Sequence, residues 1–405
     1  MIIIEDKKDC CGCWGCYNVC PKRCISMTED NEGFCYPIID TTLCIECHLC
    51  EKVCPILNVE QEKCFPQKAY LIQHRDNAIL RQSTSGGAFT AIGQWVIRQG
   101  GVVLGATYDD NFVIKHCVVD NEEQLYKFRN SKYAQSLIED NYRQVKAYLK
   151  KGRLVCFSGT PCQIEGLYMY LQKKIYPNLI LVDLVCHAIP SPLVFRKYLD
   201  LKKGKIGGQF TDVLFRDKYY GYKYSTMSLY NTDRKRDYHE GVDTDVMLRA
   251  FFANMSVRPA CYHCVFKKQY RVSDITIWDC FDVSKFSKEF NDDRGVTRAL
   301  IHTDKGNDII QGIQAYAKIL LIDVEKAVDG VKEMRQSVPY NSQREHFYED
   351  LNSMPTEKCF DKYFPKTIHT QMEKFIRLTM NRLGVYSLSK AMFKILFSKS
   401  VTDKH

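Results

Sequence analysis

Two cysteine runs near the start of the chain constrain its fold more than any other feature. The pattern C-x2-C-x2-C-x3-C followed by proline begins at Cys10 and is repeated from Cys44. In this spacing, three thiolates wrap one corner of a cubane iron–sulfur cluster, and the fourth leads away to the other cluster of a two-cluster ferredoxin. Zinc is the alternative, but zinc sites usually pair two C-x2-C units and need neither the third cysteine nor the proline.

The repeat therefore predicts two [4Fe-4S] clusters that exchange their fourth ligands. We expect the first cluster to bind Cys10, Cys13, Cys16 and Cys54, and the second to bind Cys44, Cys47, Cys50 and Cys20. His48 either tunes the second cluster through a hydrogen bond to sulfur or is an exposed bystander. The other cysteines of this region are interpreted as buried or spare thiols: Cys11, Cys24, Cys35 and Cys64.

The composition excludes several other classes of protein. Of the 20 cysteines in 405 residues, twelve lie between Cys10 and Cys64, whereas a disulfide scaffold would be small and secreted. The chain begins MIIIEDKKD without a secretion signal, and no stretch has the apolar length of a membrane span. We therefore expect reduced thiols and a cytoplasmic location. The net charge of +9 is moderate and six of these charges belong to residues 365–405, so nucleic acid is not expected as a partner.

Downstream of the cysteine runs, apolar segments alternate with amphipathic ones. Buried strands are predicted for GGVVLGATY, RLVCFSG, NLILVDLVC and SDITIWD, and helices for GGAFTAIGQWVIRQ, SLIEDNYRQVKAYLKK and PLVFRKYLDLKK. This alternation predicts an α/β domain with a largely parallel sheet. The fold class is thus mixed, α+β and α/β, in three parts: a bacterial-ferredoxin-like dicluster domain over residues 1–60, an α/β domain over 69–324, and a helical, basic C-terminal extension over 325–405.

The C-terminal extension has apolar residues at helical spacing with Lys and Arg between them, as in MEKFIRLTMNRLGVYSLSKAMFKILFSK. We expect helices that pack on the body of the protein. The alternative is a helix that binds a partner or lies on a membrane surface, which would give a peripheral membrane contact.

Four further cysteines lie where a third site would form. Cys162 follows a predicted strand, Cys186 ends another, and Cys261 and Cys264 form a C-x2-C pair. Because ligands collect at the strand ends of an α/β sheet, these four are predicted to hold a third [4Fe-4S] cluster. Zinc at the same ligands and buried structural thiols are the alternatives. We interpret the remaining four cysteines as core or isolated thiols: Cys117, Cys156, Cys280 and Cys359.

Two glycine-led turns precede predicted helices. STSGGAFTA and CFSGTPCQI both place a small-residue turn at a helix start, where backbone N–H groups can approach a phosphate. Such turns also serve as simple helix caps. Neither G-x-G-x-x-G nor G-x4-G-K-[ST] occurs, so a standard dinucleotide or P-loop site is not supported.

Six ordered segments resemble the coenzyme F420 hydrogenase/dehydrogenase beta-subunit family: STSGGAFTA, KYAQS, FSGTPCQIEGL, DLVCHAIPSP, FRDKYYGY and RPACYHCVFKKQYRVSDITI. The resemblance spans most of residues 1–300 and implies an FAD-binding iron–sulfur oxidoreductase with a ferredoxin module fused in front. Family members without that module still carry a cluster in this domain, which supports the third site. The flavin contacts are expected from Ser85, Gly86, Gly87, Lys132, Gln135, Ser158, Gly159 and Thr160.

Two departures from the family pattern concern the substrate. Cys186-His187-Ala188 replaces the usual Cys-His-Gly, and residues 278–282, Trp-Asp-Cys-Phe-Asp, replace the usual Gly-Asp-Phe-Trp-Gly. The family's deazaflavin substrate is therefore not carried over to this chain. Related bacterial proteins are often associated with surface-polysaccharide synthesis, which suggests a sugar-linked or other small organic acceptor.

The predicted function is electron transfer from a low-potential donor such as ferredoxin, through the clusters, to FAD and a small-molecule acceptor. His187 is the expected catalytic proton donor, with a structural histidine as the alternative. Lys267, Lys268 and Arg271 either hold a phosphate or acidic substrate or form a solvated basic face. The rival hypothesis is a non-catalytic electron-transfer subunit of a larger hydrogenase or dehydrogenase complex, whose substrate site belongs to a partner chain.

Overall fold

The computed structural model of the chain describes residues 1–59, 61–383 and 385. Much of the amphipathic segment predicted near the C-terminus, from residue 386 onward, lies outside the described residues. Within the described part, no helix is long and apolar enough to cross a membrane.

The ferredoxin region contains a hairpin and two short helices. Strands β1 (Ile25–Glu29) and β2 (Cys35–Ile39) pair antiparallel, and helices α1 (Gly15–Val19) and α2 (Leu49–Lys52) pack against each other. Each helix follows a residue in the left-handed conformation: Trp14 (φ 65°) precedes α1, and His48 (φ 55°) precedes α2. The sequence repeat is therefore also a repeat of local backbone geometry.

An eight-stranded sheet forms the centre of the rest of the molecule, in the order β13-β3-β12-β11-β7-β6-β4-β5. Its strands are β3 (Lys68–His74), β4 (Val102–Tyr108), β5 (Ile114–Val119), β6 (Val155–Gly159), β7 (Leu179–Leu184), β11 (Ile275–Asp279), β12 (Thr297–Ile301) and β13 (Ala317–Ile322). The four strands predicted from the sequence are β4, β6, β7 and β11, and they form the parallel centre of the sheet. The flanking strands pair antiparallel, so the sheet is mixed rather than largely parallel.

A second, antiparallel sheet of three strands lies between residues 210 and 241. It consists of β8 (Phe210–Asp217), β9 (Thr226–Asn231) and β10 (Tyr238–Gly241). The sequence analysis did not predict this sheet.

Fourteen helices occur among the described residues, α1 and α2 included. The other twelve are α3 (Asn77–Gln82), α4 (Ala88–Arg98), α5 (Asn141–Lys150), α6 (Pro161–Tyr170), α7 (Pro192–Ile206), α8 (Val246–Phe252), α9 (Asp304–Gly312), α10 (Val324–Val328), α11 (Lys332–Arg335), α12 (Arg344–Ser353), α13 (Thr356–Tyr363) and α14 (Ile368–Arg382). The predicted helices correspond to α4, α5 and α7, although α5 begins five residues later than the segment predicted for it.

Alternating strand residues bury the central sheet on both faces. One face packs against α4 and α9 through residues such as Ile92 and Ile309, and the other against α5 and α6 through Val145 and Leu167. This two-sided burial explains why the central strands read as continuous apolar runs in the sequence.

A third core joins the ferredoxin hairpin to the rest of the molecule. Phe34 and Tyr36 of the hairpin pack in one apolar cluster with residues of α7, β8, α8 and α12, among them Phe347. Arg344 of α12 also forms a buried ion pair with Glu32 in the hairpin turn. The C-terminal helices therefore help to hold the ferredoxin region against the body.

Candidate iron–sulfur centres

The first cysteine group lies at the junction between the ferredoxin region and the body. Cys13 and Cys16 are buried at the start of α1, and Cys54 follows α2. Burial raises the pKa of Cys16, and the neighbouring thiols of Cys13, Cys10 and Cys54 raise it further. The structure thus brings together the four cysteines predicted for the first cluster, including the crossing ligand from the second run.

The second cysteine group lines a small cavity. The cavity wall includes the four predicted ligands, Cys20, Cys44, Cys47 and Cys50. Cys47 is exposed, and the Ile2 N–H donates to Cys50 Sγ at 3.4 Å. This site therefore faces solvent, whereas the first group faces the protein interior.

A fifth cysteine, Cys24, lines the cavity of the second group. Its Sγ lies 3.3 Å from Cys20 Sγ. Cys24 was interpreted as a spare thiol, and the structure places it beside a predicted ligand. His48 is exposed, and its Nδ1 lies 3.0 Å from Glu51 Oε2 and 3.3 Å from the terminal amine of Met1.

The third cysteine group forms beyond the carboxyl ends of β6 and β7. Cys162 lies in the first turn of α6, Cys186 follows β7, and Cys261 and Cys264 flank the end of a short 3-10 helix, Pro259–His263. Burial raises the pKa of Cys186 to about 12, with further contributions from Cys162 and Cys264. The four predicted ligands are therefore neighbours, although widely separated in sequence.

Hydrogen-bond donors surround these sulfurs. The Ile189 N–H donates to Cys261 Sγ at 3.3 Å, and Thr160 Oγ1 lies 3.1 Å from Cys162 Sγ. Donors of this kind stabilise thiolates and tune the clusters that thiolates bind. These polar neighbours are more typical of a cluster site than of a thiol buried in an apolar core.

The first and third groups are joined by a single residue. The buried Cys11 side chain packs in one cluster with Cys13 and Phe266, and Cys162 lies against the same cluster. The Cys11 thiol is the largest cause of the lowered pKa of Cys162, which is about 7. Two predicted cluster sites therefore meet at Cys11, which the sequence analysis interpreted only as a buried or spare thiol.

Within the described residues, no three His, Cys, Asp or Glu side chains converge as a single metal ion would require. A zinc ion needs four ligands around one centre, with sulfur about 2.3 Å away. In a cubane, each cysteine binds a different iron atom, so the sulfurs stand apart. The fit to clusters therefore rests on the number, grouping and hydrogen bonding of the thiols.

Arg258 is a buried residue that the sequence analysis missed. Its side chain is 1% exposed and lies in the wall between the first and third groups. It donates to Cys10 O at 2.7 Å, Gln135 Oε1 at 2.8 Å and Cys35 O at 3.0 Å. Its position three residues before Cys261 was the only sequence signal.

The first glycine-led turn is packed tightly into the sheet. The Gly86 N–H donates to Thr297 Oγ1 at 2.9 Å, and Gly86 O accepts from the His74 N–H at 2.8 Å. A Cβ on Gly86 would lie 2.1 Å from Ile72 O. Close backbone packing is thus sufficient reason for glycine here, and Gly86 offers no free N–H to a phosphate. Ser85 is also bonded to Thr297, at 2.8 Å, and Gly87 adopts φ 74° as the cap of α4.

Lys132 lies close to this turn. Its neighbour Ser131 contacts Thr84 twice, through its N–H at 2.7 Å and its hydroxyl at 3.0 Å. Lys132 Nζ donates to Arg129 O and Asn130 O, and burial lowers the pKa of Lys132 to about 7. The structure therefore places Ser131 against the turn, whereas the Lys132 ammonium lies against Arg129 O, Asn130 O and the Tyr108 ring.

The other predicted flavin contacts lie elsewhere, beside the cysteine groups. Gln135 Nε2 donates to Cys11 O and Gly12 O. Thr160 caps α6 next to Cys162, together with Gln163, whose amide donates to Ser136 Oγ at 3.0 Å. Ser158 and Gly159 end β6, where Ser158 O accepts from His116 Nε2 at 2.9 Å. These residues adjoin the junction of the first and third groups.

The polar residues proposed for substrate binding are engaged in the fold. His187 Nε2 contacts Asn254 Oδ1 at 2.8 Å, and burial lowers the pKa of His187. Lys267 donates to three carbonyls, among them those of Cys186 and His187. Lys268 pairs with Glu165 at 3.0 Å, and Arg271 with Asp183 at 3.2 Å. The three cations therefore form neither a solvated basic face nor an open anion site.

Comparisons with known proteins match two separate segments of the chain. The sequence model for the C terminus of the "Coenzyme F420 hydrogenase/dehydrogenase, beta subunit" matches residues 152–327, and that of the "4Fe-4S binding domain" matches residues 37–57. The chain therefore carries a 4Fe-4S binding domain in front of a domain that matches the C terminus of the coenzyme F420 hydrogenase/dehydrogenase beta subunit.

Individual relatives match separate parts of the chain. An uncharacterized ferredoxin from Methanocaldococcus jannaschii is 42% identical over 53 residues, which cover 13% of this chain and 68% of the ferredoxin. A 7Fe ferredoxin from Hydrogenibacillus schlegelii is 38% identical over 63 residues, or 15% of this chain and 74% of that protein. The coenzyme F420-dependent sulfite reductase of M. jannaschii is 28% identical over 169 residues, which are 40% of this chain but only 25% of the reductase.

A solved chain of the F420-reducing [NiFe] hydrogenase complex from Methanosarcina barkeri is similar in structure, with a TM-score of 0.46 and 17% identity. The alignment covers 74% of this chain and 95% of that one.

Proposed function

We propose that the protein is an iron–sulfur oxidoreductase that passes electrons from a low-potential protein donor, through three [4Fe-4S] clusters, to FAD and a small organic acceptor. The observation that carries this proposal is the order of the three cysteine groups. The second group faces solvent, the first lies behind it, and the third adjoins the first through Cys11. A donor protein would therefore deliver electrons at the second group.

FAD is the cofactor we propose at the end of this series, on the basis of the likeness of residues 152–327 to the coenzyme F420 hydrogenase/dehydrogenase beta subunit. When bound, it would convert single electrons from the clusters into two-electron chemistry. We propose that its anionic part lies near Lys132, because a buried ammonium group favours a phosphate. The 85–87 turn is left out of this site, because the Gly86 N–H is already bonded to Thr297. The His187 side chain is retained as a candidate proton donor, although its hydrogen bond to Asn254 also suits a structural role.

Purification under anaerobic conditions tests this proposal. We expect about one FAD per chain on acid release, and oxidation of two equivalents of reduced ferredoxin for each flavin that is reduced. Lys132→Met should weaken FAD binding, whereas Lys150→Met, on the exposed side of α5, should leave it unchanged. A protein with full iron that neither contains nor binds FAD would remove the flavin from the proposal.

The second candidate is an electron-transfer subunit without a substrate site of its own. The relatives favour it in one respect, because the match to the sulfite reductase covers only a quarter of that protein. Turnover by the purified chain alone distinguishes the two. If dithionite-reduced protein is reoxidised by no small-molecule acceptor but is reoxidised by a partner protein, the second candidate is correct. A sugar-linked acceptor remains one substrate class to include in that screen.

A further inference from the structure

A buried arginine stands between two predicted cluster sites without a carboxylate partner among the described residues. The main favourable electrostatic partners of Arg258 are Cys10, Tyr36, Cys11 and Cys261, of which three are cysteines. Its guanidinium lies 4.3 Å from the centre of the Tyr36 ring. An unpaired charge at 1% exposure is expensive.

The other buried arginines show what is unusual here. Arg271 pairs with Asp183, Arg216 with Asp279, Arg298 with Asp282, and Arg344 with Glu32. Each of these cations therefore has an anion supplied by the protein. Arg258 has carbonyl and amide acceptors, so its charge needs an anion from another source.

Bound clusters would supply that anion. A cubane held by four thiolates is anionic, and its negative charge grows by one when it is reduced. A nearby positive charge therefore stabilises the reduced form and raises the reduction potential, and the effect is strong where water is excluded. Arg258 contacts the backbone of the first group through Cys10 O, and the Cys261 N–H donates to Arg258 O at 2.9 Å.

We propose that Arg258 is the shared counter-charge of the first and third clusters and raises the reduction potentials of both. This inference rests on the clusters of the proposed function but not on FAD. Arg258 acts through the clusters and does not touch substrate, so it is a positioning residue.

Reduction potentials of the full-length chain test the proposal, measured by EPR-monitored redox titration with iron content as a second readout. Arg258→Met and Arg258→Gln remove the charge, and Gln keeps an N–H donor for Cys10 O. Both should shift the first and third potentials to more negative values and leave the second unchanged. Arg258→Lys keeps the charge and should stay close to the wild type.

Arg298→Met is the matched control. Arg298 is also buried, at 4% exposure, and donates to Ala327 O and Cys280 Sγ, away from the predicted cluster ligands. Its loss should lower the unfolding temperature without moving any potential. This control separates a general loss of packing from a local loss of charge.

Each outcome decides the question. A neutral variant with full iron and unchanged potentials overturns the proposal. If neither neutral variant loads the inner clusters but Arg258→Lys does, the charge is required and the proposal holds. If all three variants fail to load them, the guanidinium shape is what matters, and the counter-charge is refuted. A wild-type chain without clusters would instead refute the proposed function itself.

Discussion

Cys24 and Cys20 both line the cavity of the second cysteine group, and their sulfurs are 3.3 Å apart. Motif spacing names Cys20 as the ligand, because it precedes Pro21 as Cys54 precedes Pro55. Proximity alone would allow Cys24 the same role. The structure thus turns a choice made from spacing into one that substitution can test.

We expect Cys20→Ser to impair the second cluster and spare the first, because Cys20 would complete the set of Cys44, Cys47 and Cys50. Cys24→Ser is the matched control and should leave both clusters intact. EPR spectra of the reduced proteins, with iron analysis, provide the measurement. Loss of the first cluster's signal in Cys20→Ser would show that the exchange of fourth ligands is wrong.

His116 makes the stability of the fold sensitive to acid. Burial lowers the pKa of His116 from 6.5 to about 4, and its Nε2–H donates to Ser158 O. Below pH 6.5 the unfolded chain binds a proton that the folded chain refuses, so stability falls as the pH decreases towards 4. Between pH 7 and pH 4, this difference in proton binding lowers the free energy of unfolding by about 3 kcal/mol.

His116→Gln keeps an N–H donor but does not titrate, so it should lose about 3 kcal/mol less unfolding free energy than the wild type between pH 7 and 4. His346 is exposed, and His346→Gln should behave as the wild type does. Urea unfolding at a series of pH values measures the difference, in which acid effects common to all variants cancel. Parallel curves for the wild type and His116→Gln would contradict the assignment.

At the scale of elements, the sequence predicted the centre of the sheet but not its edges. The strands β4, β6, β7 and β11 are buried on both faces, so they read as apolar runs between helices. Of the antiparallel strands that flank them, β3 and β12 are also buried on both faces, but polar residues interrupt their sequences, KAYLIQH and TRALI, and they were missed. The strands of the second sheet were missed because polar residues interrupt them, as in β8 (FTDVLFRD) and β10 (YHEG). Likewise, motif spacing identified the cysteines, but only the fold could bring Arg258 beside them, since its partners are about 120 to 250 residues away.

Helix α12 is tied to the ferredoxin hairpin by the Arg344–Glu32 pair, whose side chains are 5% and 11% exposed. Removing one partner of a buried pair leaves an uncompensated charge, which costs about 3–5 kcal/mol. We therefore expect Arg344→Met to lower the unfolding free energy by that amount, and Arg344→Met combined with Glu32→Gln to recover part of it. Chemical denaturation measures both.

The ion pair between Arg196 and Glu29 provides the comparison, because it joins the same hairpin to α7 with both side chains about two-fifths exposed. Exposed pairs contribute little, so Arg196→Met should cost less than about 1 kcal/mol. Equal losses for Arg196→Met and Arg344→Met would contradict the view that burial distinguishes these contacts.

For the whole molecule, the packing of the ferredoxin region against the body decides which experiment can test the third cluster. Removing residues 1–60 would expose Cys162 and leave Arg258 without its contacts to Cys10 and Cys35, because the ferredoxin region packs into the shared core. Loss of iron from such a fragment would then report damage as readily as a missing site. Substitutions in the full-length chain avoid this ambiguity.

Full-length protein purified anaerobically should contain about twelve iron atoms if three cubanes are bound, and about eight if only the ferredoxin clusters are. We expect Cys264→Ala to lower the count from about twelve to about eight and to slow electron transfer from the ferredoxin clusters to any bound flavin, because Cys264 belongs to the third group alone. Cys156→Ala is the matched control: Cys156 is fully buried in the core of the sheet, so its loss should cost some stability but no iron. About eight iron atoms in the wild type, with one zinc that Cys264→Ala removes, would establish zinc at the third site instead. Iron unchanged by Cys264→Ala would show that these four cysteines are structural thiols.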